Sequence, residues 1–327
     1  MRAAVYRRHG PAHDVLELDD LPVPEPGPGE VRARLRVSAV NPTDWKIRLG
    51  AGSGPVEGFP FLVPNQDGAG DIDATGPGVD PGRIGERVWV YFAAWQRQYG
   101  TAAEYVCLPH DQAVPLPGSA SYDLGASLGI PAITAHRCLF ADGPITDTAI
   151  LVAGGAGAVG HYAIELARRA GAATIITTVS SDDKAELARA AGADHVVNYR
   201  AGGPEDTTRA VLAAAGRPLD RIVEVAPVAN KALDEAVLAP NGVVVIYAID
   251  GELVATRRQM VGNAVLRFVL VYTMGRAAIE AAVADVSAAM ADGSLTELPA
   301  HRFPLDAIAD AHDAVEHNVV GKVLVDL

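Results

Sequence analysis

Cysteine is scarce: the chain holds two, Cys107 and Cys138, too far apart for a CxxC redox or zinc pattern. Two reduced thiols without chemistry are expected. Positive charge is also in deficit, with 27 Lys and Arg against 40 Asp and Glu and a net charge of −13. That balance argues against a nucleic-acid or anionic-membrane partner. No apolar run reaches transmembrane length, and "MRAAVYRRHG" does not read as a signal peptide. The expected compartment is therefore the cytoplasm. GxSxG, HExxH and Walker patterns are absent. His312 and His317 stand five apart, off the i,i+4 spacing that would put two imidazoles on one helix face, so no metal site is expected.

What the chain does have is length and apolar content. Its 327 residues, 49% apolar and 20% charged, are a globular composition with room for two domains. Residues 1–120 read as β-rich. "EVRARLRVSAV" alternates Val31, Ala33, Leu35, Val37 and Ala39 against polar partners, the period of a half-buried strand. "PVPEPGPGE" before it excludes a helix. "ERVWVY" and "AEYVCL" are further short strands, and the Gly/Pro punctuation fits a compact barrel-like domain.

From about Ser121 the period changes. "AILVA", "ATIITTVS", "DHVVNY", "DRIVEVA" and "GVVVIYAI" alternate with alanine-rich helical patterns such as "KAELARAAGA". That alternation predicts an α/β fold with a doubly wound parallel sheet covered on both faces. "AVLRFVLVYTM", residues 264–274, reads as one more strand at the sheet edge, or equally as an internal strand or buried helix. An unprotected edge there would pair with a second copy, so a homodimer is expected. "GKVLVDL" is a last strand returning to the N-terminal domain and making it discontinuous.

"ILVAGGAGAVGHYAIELARRAG", Ile150–Gly171, puts glycines at GxGxxG spacing between the first of these strands and a helix. Gly155 is expected to turn the chain tightly at positive φ. Gly157 is expected to let the backbone approach a pyrophosphate, and Gly160 to let helix and strand pack closely. The helix tip then offers free N–H groups and partial positive charge to an anion. An ordinary glycine-rich βα turn is the plain alternative, and the strand–turn–helix context favours a dinucleotide. About 20 residues on, where an NAD site carries an acid, stand Ser180 and Ser181, then "DDK". Serine hydroxyls, Lys184 and Tyr199 can all donate to a 2′-phosphate, which favours NADPH. Asp182 and Asp183 would oppose it if they pointed inward. Serine and aspartate are equally good helix caps.

Taken together, "PVPEPGPGEVRARLRVSAVNPTDWKIRLG", "DGAG", "GERV", "LGIPAITAH", "GGAGAVGHYAIELAR", "GADHVVNYR" and "NVVGKVLV" resemble the zinc-independent medium-chain dehydrogenases/reductases of the NADPH:quinone oxidoreductase (zeta-crystallin-like) group. The resemblance implies a GroES-like catalytic domain over 1–123, a Rossmann NADP(H)-binding domain over 124–265, and a return to the catalytic domain over 266–327. The active site is expected in the cleft between them. Zinc-dependent relatives carry a cysteine where this chain reads "AVNPTD" and a His-Glu pair where it reads "NQDGAG". The four-cysteine structural zinc lobe is missing as well.

Residue by residue, the resemblance places Asn41 beside the nicotinamide and the substrate oxygen, and Thr134 at the nicotinamide end. It puts Gly157, Ala158 and Val159 on the pyrophosphate, and Ser180, Lys184 and Tyr199 on the 2′-phosphate. Ala248 falls in a loop beside the cofactor, and Asn318 and Lys322 in a segment closing over the nicotinamide. Asn65 and Gln66 depart from the group's "PGxDGAG", and Lys46 replaces a frequent aromatic.

The implied chemistry is hydride transfer to an electrophilic acceptor, a quinone or a conjugated carbonyl. It demands positioning and exclusion of water, with donors for the developing oxyanion. Asn41 is the first candidate donor and Lys46 the second, although Asn-Pro also favours a simple turn. Asp44 either binds substrate or caps the following turn. Trp45, Trp95, Tyr99, Tyr247 and Tyr272 are candidate walls for a flat acceptor, or core. Enone reduction in a biosynthetic pathway and a catalytically silent NADPH-binding protein are the alternatives.

Overall fold

The computed structural model describes residues 1–50 and 58–327. They form two compact units, Met1–Ile130 with Glu297–Leu327, and Pro131–Thr296.

The first unit begins with β1 (Arg2–Val5), α1 (Ala12–Val15) and β2 (Glu17–Asp20). Next come β3 (Glu30–Val40), α2 (Pro42–Arg48), β4 (Asp67–Thr75), β5 (Arg87–Val90), β6 (Tyr105–Pro109) and β7 (Ala113–Pro115). The long expected strand is β3, and Val31, Ala33, Leu35 and Val37 are its buried face. Helix α3 (Tyr122–Phe140) follows, and the boundary between the units falls inside it.

The second unit is the doubly wound part. Strands β8 (Ala149–Ala153), β9 (Thr174–Val179), β10 (His195–Asn198), β11 (Leu219–Glu224), β12 (Leu238–Ile246) and β13 (Val265–Phe268) pair in parallel in the order β10-β9-β8-β11-β12-β13. Every residue of β8 is buried, as a central strand with helices on both faces requires. The helices are α4 (Ala158–Arg169), α5 (Asp182–Ala190), α6 (Pro204–Ala215), α7 (Pro227–Val237), α8 (Arg257–Val261) and α9 (Arg276–Ala291).

The chain rejoins the first unit with β14 (Ala300–Pro304), α10 (Ile308–Glu316) and β15 (Lys322–Asp326). Strand β15 pairs antiparallel with β3, completing the sheet β14-β15-β3-β4-β5-β7, with β6 also on β3. The return expected at residue 266 occurs instead at Glu297. The cause is β13, which extends the parallel sheet beside β12 with Val243 opposite Val265. Segment 264–274 is thus an edge strand followed by a 3₁₀ turn at Val271–Thr273.

Candidate functional site

In the second unit, the glycine turn joins β8 to α4. The residue at positive φ is Gly154 (φ 72°), not Gly155. Gly155 is needed for a different reason: a Cβ there would lie 2.1 Å from Thr177 Oγ1 on the neighbouring strand. Gly160 has no room either, since its Cβ would lie 2.4 Å from the Gly154 carbonyl oxygen. These two glycines let turn, strand and helix close on one another. Gly157 differs. It is the exposed N-cap of α4, and the nearest atom to an added Cβ is 3.4 Å away. No side chain caps this helix, so the N–H groups of Ala158, Val159 and Gly160 lack intrahelical partners. An uncapped, solvent-facing tip with room beside it fits an anion such as a diphosphate.

At the end of β9, Lys184 Nζ donates to Ser180 Oγ at 3.0 Å. Ser181 N-caps α5, accepting from Lys184 N at 3.4 Å. Asp182 and Asp183 are exposed, and Asp182 accepts from Asn198 Nδ2 at 3.5 Å. Tyr199 is also exposed. Ammonium and hydroxyls thus lie together, as an added phosphate would need. Thr134 is buried and Ala248 half-buried.

The first unit holds a buried polar cluster that sequence reasoning found only in part. Asn41, at the end of β3, is 1% exposed. Its Nδ2 donates to Asp67 Oδ2 at 2.8 Å, and its Oδ1 accepts from Lys322 Nζ at 2.6 Å. Its backbone N–H donates to Asp44 Oδ2 at 2.7 Å, which caps α2. Asp67 also accepts from Ile130 N at 2.8 Å. Lys322 is buried here as well.

Burial pushes the Asp67 carboxyl up to about 6, against the opposing pull of Lys322 and of the Ile130, Asn41 and Phe92 donors. Burial raises Asp44 well above the usual carboxylate range, helped by Asp67 and opposed by Asn41 and Lys322. Burial lowers Lys322, while Asp67 and Asp44 hold it up. Gly129 makes the arrangement possible, because a Cβ there would lie 2.1 Å from Asp67 Oδ1.

A second chain of hydrogen bonds meets this cluster. His312 Nε2 donates to Asn65 Oδ1 at 3.0 Å, and Asn65 Nδ2 donates to Ser38 Oγ at 3.0 Å. Ser38 then donates to Thr101 Oγ1 at 2.8 Å, and Thr101 to the Asp67 carbonyl at 2.7 Å. The direction follows from the two ends, since Asn65 Nδ2 and Thr101 Oγ1 are both donors. Burial, and then the Arg48 charge, push His312 down to about 3, so it is neutral. Gln66 is buried, and its Oε1 accepts from Ala94 N at 3.1 Å.

The structure does not bring every expected residue together. Lys46 is exposed, with Nζ 5.5 Å from the Trp45 ring centroid. Asn318 is exposed and left-handed (φ 58°) just after α10. Asp67 and Gly129 were missed. The visible signal for Asp67 was an acid in the otherwise small-residue run "DGAG". Among the described residues, no three His, Cys, Asp or Glu side chains gather to hold a metal ion.

A parallel sheet with this glycine turn in the second unit, and a largely antiparallel sheet in the first, to which the chain returns, define the medium-chain dehydrogenase/reductase class. Residues 27–118 match the family model of the alcohol dehydrogenase GroES-like domain, and residues 158–288 that of the zinc-binding dehydrogenases. The chain is 28% identical to the quinone oxidoreductase of Homo sapiens over 99% of its length and 97% of the relative's. It is 30% identical to the chloroplastic quinone-oxidoreductase homolog of Spinacia oleracea over 68% of this chain and 67% of that one. Two solved structures cover both chains in full. One is an NAD-dependent alcohol dehydrogenase (28% identity, TM-score 0.88) and the other a mycobacterial protein complexed with NADPH (26%, 0.87). The chain belongs to the quinone oxidoreductase family and is an oxidoreductase of the quinone-reductase type.

Proposed function

We propose that this protein transfers hydride from NADPH to a quinone or a related conjugated carbonyl. The observation that carries the reading is the open tip of α4 at Gly157, with Lys184 and Ser180 gathered at the end of the next strand. Bound NADPH supplies the hydride. The N–H groups of Ala158, Val159 and Gly160 hold its diphosphate, and Gly155 and Gly160 keep the turn tight enough to present them. Ser180, Ser181, Lys184 and Tyr199 receive the 2′-phosphate. Thr134 and Ala248 lie toward the nicotinamide.

Asn41 presents its remaining amide hydrogen to the acceptor, its plane fixed from both sides by Asp67 and Lys322. Lys46 and Asn318, both exposed, act at the rim. Two copies join through β13, the last strand of the sheet, where Val265 and Phe268 are exposed, with Leu270 exposed just after it, and the dimer works in the cytoplasm.

The test is NADPH oxidation with a panel of quinones and α,β-unsaturated ketones. Turnover of quinones supports the reading, and turnover of enones alone transfers it to enone reduction. Binding without oxidation by any acceptor overturns it.

A further inference from the structure

A pair of buried acids lies at the carboxyl end of β11 in the second unit. Glu224 is fully buried, and Asp234, on α7, nearly so. Their carboxyls are hydrogen-bonded to each other, which requires that one of them carry a proton. The donors around them say which one. Glu224 accepts from Ala226 N and, on its two oxygens, from Asn230 Nδ2 at 3.0 and 3.1 Å, and the Val225 backbone also favours its charge. Among the described residues, no N–H donor reaches the buried Asp234 Oδ1. Glu224 is therefore the anion, and Asp234 donates its O–H to it. Burial, and then the Glu224 charge, push Asp234 up to about 9. Burial raises Glu224 as well, opposed by its donors.

Among the described residues, no free cation answers the pair. Glu235, the other charge acting on Asp234, is negative. Lys231, on the same helix, is paired with Glu235 at 3.1 Å, and Glu235 also accepts from Thr256 Oγ1. From β12, β13 and α8, the uncharged Val244, Ile246, Leu266 and Gln259 line the hollow beside Asp234. Helices α6 and α7 share an apolar core, with Val211 and Val237 in it. Tyr247, just after β12, and Cys138, on α3, stay neutral, because burial raises both, the thiol to about 12.

The pair sits where a cofactor would cross. Strands β8 and β11 are neighbours, with β9 and β10 on one side and β12 and β13 on the other. That is the switch point of a doubly wound sheet, where a dinucleotide lies across the strand ends. The corner from β11 into α7 is Val225–Ala226, and both residues are exposed. Val225 Cγ1 lies 3.6 Å from where a Cβ on Gly154 would stand, so the corner packs beside the glycine turn. Glu224 grips Ala226 N, at the cap of α7, while Asn230 and Asp234 grip Glu224 from within that helix.

We propose that Glu224 and Asp234 are positioning residues for the dinucleotide, sharing one proton that holds the Val225–Ala226 corner in place as a wall of its crevice. The inference rests on the function proposed above. The folded protein keeps this proton far above the 3.8 at which an ordinary aspartate releases it. Its loss sets two carboxylates against each other in a buried site, which drives α7 from β11 and displaces the corner. Cofactor affinity is then linked to one proton and falls on the alkaline side.

NADPH titration across pH, followed by nicotinamide fluorescence, tests this with Asp234→Asn and Asp234→Leu. Asparagine donates to Glu224 at every pH, and leucine at none. Wild type should lose about tenfold in affinity from about pH 8 to about pH 10, the effect of one linked proton. The Asn variant should lack that loss. The Leu variant should bind about tenfold more weakly already at neutral pH, the worth of a hydrogen bond to a charged group. Lys184 and Tyr199 are common to all three proteins, so their own titration cancels in the comparison. An alkaline loss shared by the Asn variant, no loss in wild type, or a Leu variant that binds as tightly as Asn overturns the proposal. If the Leu variant does not fold, wild type against Asn decides alone. A wild type that binds no NADPH at any pH defeats the function above and this role with it, whereas binding with a shared alkaline loss defeats this role alone.

Discussion

Replacing Lys322 by methionine removes one charge and little volume, so its effect isolates the electrostatics of the buried cluster. Lys322 is 3% exposed, and its ammonium sits 2.6 Å from Asn41 Oδ1 between two buried carboxyls. Removing that donor leaves Asn41 Oδ1 buried and unsatisfied, which costs about 1–3 kcal/mol, more where a charged group is involved. Asp67 keeps its Asn41, Ile130 and Phe92 donors but loses a neighbouring positive charge, which places the loss near the upper end, about 3 kcal/mol.

The loss depends on pH, and its sign can be worked out. Asp67 already stands at about 6 in the folded protein, above its ordinary 3.8. Without the ammonium it rises further. In that range the folded state holds a proton that the unfolded chain has released, so stability falls as pH rises through the raised value. The variant should therefore lose more at mildly alkaline pH than at mildly acid pH. Urea unfolding followed by tryptophan fluorescence is the assay, since Trp45, Trp89 and Trp95 all lie in the first unit. Adding Asp67→Asn should restore at least half of the loss. A single variant within about 1 kcal/mol of wild type, the usual worth of an exposed pair, or a double variant no better than the single, would refute the reasoning.

Three further outcomes follow from other parts of the chain. Gly155→Ala forces a Cβ to 2.1 Å from Thr177 Oγ1; thermal melts should show a loss of about 1–3 kcal/mol, typical of overpacking, with weaker dinucleotide binding. Lys184→Ala should weaken NADPH by about tenfold, the worth of one charge-assisted hydrogen bond, and leave NADH unchanged; titration with both cofactors decides it. Phe268→Lys, on the exposed edge of β13, should turn a dimer into a monomer by sedimentation, as edge lysines do.

The elements that can be read from periodicity were legible. β3 and β8 announce themselves by alternation and by a short apolar run, because local burial dictates both patterns. The glycine motif gave the turn but not the division of labour within it. Gly154 takes the positive φ, whereas Gly155 answers to Thr177, a residue 22 positions away whose approach no local pattern encodes. The end of the second unit was misplaced for a similar reason: whether β13 pairs with β12 is decided by sheet register, not by its apolar composition. Asn41 and Lys322 were both singled out, yet their direct bond spans 281 positions. Asp67 stayed hidden because a lone acid between small residues looks like a turn until Asn41 and Ile130 close on it.

The central claim is that the tip of α4 holds the diphosphate of a nicotinamide dinucleotide. Gly157→Asp tests it most directly. Aspartate is a favoured N-cap, and its Cβ meets nothing nearer than 3.4 Å, so folding should be preserved or improved. Its carboxylate would occupy and repel the anion site. Titration by nicotinamide fluorescence should show saturable NADPH binding to wild type and a loss of about 100-fold or more in the variant, near the 3 kcal/mol that removing a charge-assisted contact costs. Equal binding by the two proteins, at equal stability, would contradict the account.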